Sequence, residues 1–179
     1  MPADLLYVID NPARFALDEN DPLLSMAPGS RIDELEGVEG CWASALLAPD
    51  PNFAAIYFLI RFDATSRTYQ DWLLVDFVGV DGFLGAQHTT GPFELGPEAR
   101  LATTRELTQV FGPQPENVAA DSGLSVEDFV WSDEPAGRTL EYLATLDGDR
   151  LRLHYGDANR APADPGDDLV YLRFDCAGN

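Results

Sequence analysis

The chain has 179 residues, enough for one domain and too few for two ordinary ones. Acidic residues outnumber basic ones 31 to 11, and a formal net charge of -20 repels nucleic-acid phosphates and anionic lipid headgroups. Hydrophobic residues make up 45%, which excludes wholesale disorder, and the longest apolar run, Phe53 to Ile60, is far shorter than the roughly 20 residues that span a bilayer.

All eleven basic residues are arginine. Two readings account for this: codon usage in a GC-rich genome, or adaptation to high salt, where a Debye length of about 3 Å screens the self-repulsion. The N-terminus, Met1-Pro2-Ala3-Asp4, has neither a basic leader nor a long apolar segment, so a cytoplasmic protein is expected.

Residues 1–36 read as a lead-in that packs on the domain. Asn11-Pro12 is a helix-start signal and places a short helix over Ala13 to Leu17. Asp21-Pro22 and Pro28-Gly29 then break the chain. From Gly37 the period changes to two, and residues 37–179 form the β-domain. Gly40 to Ala48 is the first strand. Phe53 to Asp63 is the clearest, with Ala54, Ile56, Phe58, Ile60 and Phe62 on one face and Arg61 and Asp63 on the other. Thr68 to Val80 follows, then the Asp81-Gly82 turn signal and a partner strand over Phe83 to Thr90.

Gly91-Pro92 and Gly96-Pro97 punctuate the next stretch. Residues 99–111 are open to helix or strand; their threonines favour a strand carrying Leu101, Thr103, Leu107 and Phe111 on one face. Residues 112–125 read as a loop and Val126 to Trp131 as a short strand. Arg138 to Leu146 places Leu140, Tyr142, Ala144 and Leu146 inward, Asp147-Gly148 turns, and Leu151, Leu153 and Tyr155 return inward. Arg152 and His154 then face out. After a polar loop over 156–168, Val170, Leu172, Phe174 and Cys176 line one face of the last strand, read as inward. Eight or nine strands without a βαβ rhythm predict an all-β fold, an antiparallel up-and-down barrel whose first and last strands are neighbours.

Gly40-Cys41-Trp42 opens the first strand and resembles the Gly-X-Trp signature of the lipocalins and their calycin relatives. In that family the glycine allows close approach and the tryptophan plugs one end of an eight-stranded barrel. The long helix, disulfides and export signal of secreted lipocalins are not evident, so the likeness is to the broader bacterial lipocalin-like barrels. The resemblance implies a cavity suited to a small apolar ligand.

Taking the most apolar face of each strand as inward, the ligand site comprises Trp42, Phe58, Ile60, Phe62, Tyr142, Leu153 and Phe174. His88, which shares a face with Leu84 and Ala86, is its polar group. Asp71 and Asp76 lie on opposite faces of one strand, so one of them points inward and needs a partner, for which Arg61, Arg105 and Arg173 are available. Cys41, turned outward by Trp42, and Cys176, read as inward, are expected to remain reduced thiols.

Two histidines and two cysteines fit no metal-ligand spacing, and no calcium loop, phosphate loop or Gly-X-Ser-X-Gly motif occurs. No cofactor is therefore expected, and haem is disfavoured because His154 near the C-terminus faces out. Three functions follow. The first is a module binding a small hydrophobic or amphipathic molecule, with no nucleic-acid or membrane partner. The second is an enzyme on the same barrel, using an interior carboxylate with His88. The third is an acidic protein-interaction domain with a filled core. Enzymatic function is the less favoured of these.

Overall fold

The computed structural model describes residues 2–17, 30–51, 53–78, 83–113, 129–135, 137–155 and 168–176. Two helices, α1 (Ala3–Asp10) and α2 (Pro12–Phe15), precede the sheet. Its strands are β1 (Ser30–Arg31), β2 (Gly40–Asp50), β3 (Phe53–Asp63), β4 (Thr68–Phe77), β5 (Phe83–Leu95), β6 (Arg100–Thr104), β7 (Leu107–Pro113), β8 (Phe129–Glu134), β9 (Thr139–Asp147), β10 (Arg150–Tyr155) and β11 (Asp168–Phe174). Strands β2 to β6 and β9 to β11 close into an eight-stranded antiparallel barrel, with β11 beside β2 and β6 bridging β5 to β9. The expected barrel and its neighbouring first and last strands are observed. The Asp81-Gly82 turn and most of the 112–125 and 156–168 loops lie outside the described residues.

Gly91-Pro92 does not end a strand; β5 runs through it. Before Gly91, β5 pairs with β7; beyond Pro92, it pairs with β6. A side chain at Gly91 would meet the Thr104 carbonyl oxygen at 1.8 Å, so only glycine lets the two partners diverge there. The 99–111 segment is β-structure, as its threonines suggest, but it is two strands rather than one. Leu101 and Thr103 are buried in the barrel, whereas Leu107 is exposed on the β7–β8 hairpin, which extends the sheet outside it.

Two apolar clusters lie on opposite faces of the barrel wall. Inside are Trp42, Ile60, Phe62, Tyr69, Phe93, Leu101, Leu151, Leu153 and Tyr171. Outside, Cys41, Ala43, Ala45, Tyr57, Leu59 and Phe174 are covered by Leu5, Val8 and Phe15 of the helices. Asn11 does not cap α2 through its side chain; its amide nitrogen donates to the Tyr7 carbonyl and closes α1, a helix the sequence reading did not place. Fully burying Phe15 contributes roughly 1.5–3 kcal/mol. Its ring meets Phe174 edge-on at 5.4 Å, and Tyr7 stacks on Phe174 at 5.9 Å.

This outer layer corrects the orientation of the last strand. Leu169 and Tyr171 pack against the interior cluster, while Leu172, Phe174 and Cys176 belong to the covered outer face. Cys176 therefore lies on the same side of the wall as Cys41, two residues beyond the Phe174–Cys41 pair. The two sulfurs form a disulfide, with Cα atoms 5.4 Å apart, in place of the expected free thiols.

Candidate binding cavity

Gly40 and Trp42 act where β2 enters the barrel. Gly40 has φ +113°, and a Cβ there would meet nothing within 4 Å, so glycine is required by backbone conformation rather than by close approach. Trp42 is fully buried and donates its indole N–H to the Val38 carbonyl at 2.7 Å. Arg173 lies over its ring, 4.3 Å from the centroid, and donates to the Gly37 carbonyl at 2.9 Å. The arginine thus ties the last strand to the turn preceding the first and closes that end of the barrel.

A partly open cavity of about 210 Å³ lies within the barrel. Phe58, Ile60, Tyr142 and Leu153 line it, where the sequence placed them. Trp42 and Phe62 also point inward, but they belong to the packed interior beyond its lining. Phe174 is outside, beneath the helices. His88 is outside too: it pairs with Trp72, stacks on that ring at 3.9 Å, and packs on the face that carries Ala86. Its parity with Ala86 was read correctly, but that face is the outer one. Burial lowers its pKa, opposed by a hydrogen bond with Gln109, and its Nε2 has no hydrogen-bond partner among the described residues.

The inward polar group is Asp71. It faces Ile60 across β3–β4 and Thr89 across β4–β5, and Thr89 hydrogen-bonds to it through side chain and backbone. Desolvation still dominates, and the Asp71 pKa is raised from 3.8 to about 6. Arg105, at the end of β6, lines the same cavity and opposes the shift, without forming a direct ion pair with Asp71 among the described residues. Asp71 in turn disfavours ionisation of its neighbours. Tyr69 is pushed up to about 12 by burial and then by the Asp71 charge, against a hydrogen bond with Thr103. Tyr171 is raised by the same two causes, burial first.

Among the described residues, the cavity therefore offers one carboxyl, one guanidinium, three phenols, and the polar side chains of Gln87 and Thr103 on an otherwise apolar wall. Asp71 and Arg105 were among the sequence candidates; Tyr69 and Tyr171 were missed. For Tyr69 the signal was its place two residues before Asp71 on the same face. Among the described residues, no cluster of three metal-ligating side chains occurs, and no helix is long and apolar enough to cross a membrane. No protein-family model matches the chain, and no curated protein is similar to it in sequence.

Proposed function

We propose that the chain is a lipocalin-like binding protein that holds one small amphipathic molecule in the barrel. The observation that carries this reading is the 210 Å³ cavity, apolar on most of its wall and polar around Asp71. Trp42 at the closed end, after Gly40 and under Arg173, supports the lipocalin-like assignment. Drug-sized ligands occupy pockets of about 300–1,000 Å³, so this volume favours a compact, single-ring molecule over a long acyl chain or a haem. The cavity also tells against a filled core. The enzyme reading loses its acid–base pair, because His88 and Asp71 sit on opposite faces of the sheet.

The Cys41–Cys176 disulfide argues against the cytoplasmic location expected from the sequence, because disulfides persist chiefly in oxidising compartments.

The test is native mass spectrometry of the purified protein, followed by thermal melts with a panel of compact ring compounds. A co-purified small molecule, or a rise in melting temperature with several of them, is expected. A bare mass together with no shift across the panel defeats the reading.

A further inference from the structure

The binding reading leaves the ligand's polar end unspecified, and the groups in the cavity constrain it. The described charged side chains lining the cavity are Asp71, from β4, and Arg105, from the end of β6. The other facing strands contribute Ile60 from β3, Gln87 from β5, Thr103 from β6, Tyr142 from β9, Leu153 from β10, and Leu169 and Tyr171 from β11. Among the described residues Asp71 thus has hydrogen bonds from Thr89 but no cation in ion-pair contact with it, while three phenol rings stand around the same space. Aromatic rings beside a desolvated carboxylate attract an ammonium group, through cation–π attraction and a charge-assisted hydrogen bond. The net charge of -20 adds a field that draws cations toward the protein.

We propose that the barrel cavity selects small aromatic or alicyclic amines, with the ammonium held by Asp71 among Tyr69, Tyr142 and Tyr171, and the ring against Phe58, Ile60 and Leu153. This rests on the binding reading above and adds the sign of the ligand's charge. A bound cation stabilises the ionised carboxylate, so binding expels the proton that Asp71 carries in acid. Tyr69 and Tyr171, both raised by burial from an ordinary value of about 10, stay neutral through the range in which Asp71 titrates.

The experiment is calorimetric titration of the whole protein with benzylamine, benzyl alcohol and benzoate, at about pH 8 and about pH 5. Benzylamine stays protonated throughout. It should bind about tenfold or more tightly than benzyl alcohol at the higher pH. It should lose about tenfold at the lower pH, as Asp71 takes up its proton. Benzyl alcohol should bind equally at both. Asp71→Asn should abolish the preference for the amine and its pH dependence, while an unchanged circular dichroism spectrum and a cooperative melt report that the variant is folded. Equal affinity for amine and alcohol, tighter binding of benzoate, or an unaltered preference in Asp71→Asn overturns the amine proposal and leaves the cavity reading standing. Failure of all three compounds to bind overturns both.

Discussion

Replacing Asp71 by Asn should stabilise the empty protein at neutral and alkaline pH. The Asp71 carboxyl titrates near 6 when folded and near its ordinary 3.8 when unfolded. Because the folded state holds this proton more tightly, its contribution is fully present below about pH 4 and is lost as pH rises to about 6. At 1.36 kcal/mol per pKa unit, the ionised carboxylate costs the fold about 3 kcal/mol above that window. Asn resembles the protonated acid in size and keeps an acceptor for Thr89, so it removes most of this cost. The expected gain is about 1–3 kcal/mol at pH 8 and close to zero at pH 3.5. Urea denaturation of both proteins at the two pH values measures it, and the difference cancels the titration of the other acids. An equal gain at both pH values, or a loss at pH 8, would show that the Asp71 charge is compensated in the fold and would refute the reasoning.

Thiol titration of the denatured, unreduced protein should count no free groups, and Cys41→Ala with Cys176→Ala should lower stability by about 2–4 kcal/mol, since the bridge closes most of the chain into one loop. Arg173→Ala should cost about 1–2 kcal/mol by removing the cover over Trp42 and the bond to Gly37; Arg173→Lys should recover little, because an ammonium does not stack as a guanidinium does. The midpoint of a thermal melt should rise from low to molar NaCl, because screening relieves the repulsion of a -20 body, and an unchanged midpoint would mean that the charges are compensated locally.

Strand existence was legible where turns and alternation agreed. Phe53 to Asp63 was placed at its observed bounds, and Leu151 and Leu153 on β10 point inward as read. On β10 the outward partners are Arg152 and His154, so only one face is apolar and the register is unambiguous. Four of the eight residues placed in the site line the cavity for the same reason: Phe58 and Ile60 follow β3, while Tyr142 and Leu153 follow the β9–β10 hairpin. Gly91-Pro92 misled because a glycine that lets a strand change partners carries the same local signature as one that ends a strand.

The remaining errors share one physical cause. Choosing the most apolar face as the interior works only when the other face meets water, and here part of the outer wall is itself covered. Leu172, Phe174 and Cys176 form an apolar row because α1 and α2 lie over it; His88 is packed because Trp72 stacks on it. On such strands both parities are compatible with burial, and hydropathy alone cannot choose between them. The information that breaks the tie is in the lead-in. Leu5, Val8 and Phe15 form an apolar helical surface that must be buried somewhere, and a lead-in packed on a barrel can bury it only on the outer face. Assigning Phe174 to that surface brings Tyr171 into the cavity beside Asp71 and turns Cys176 toward Cys41. The position of the helices, the disulfide and the place of Tyr171 in the cavity are thus consequences of one choice of parity on the last strand.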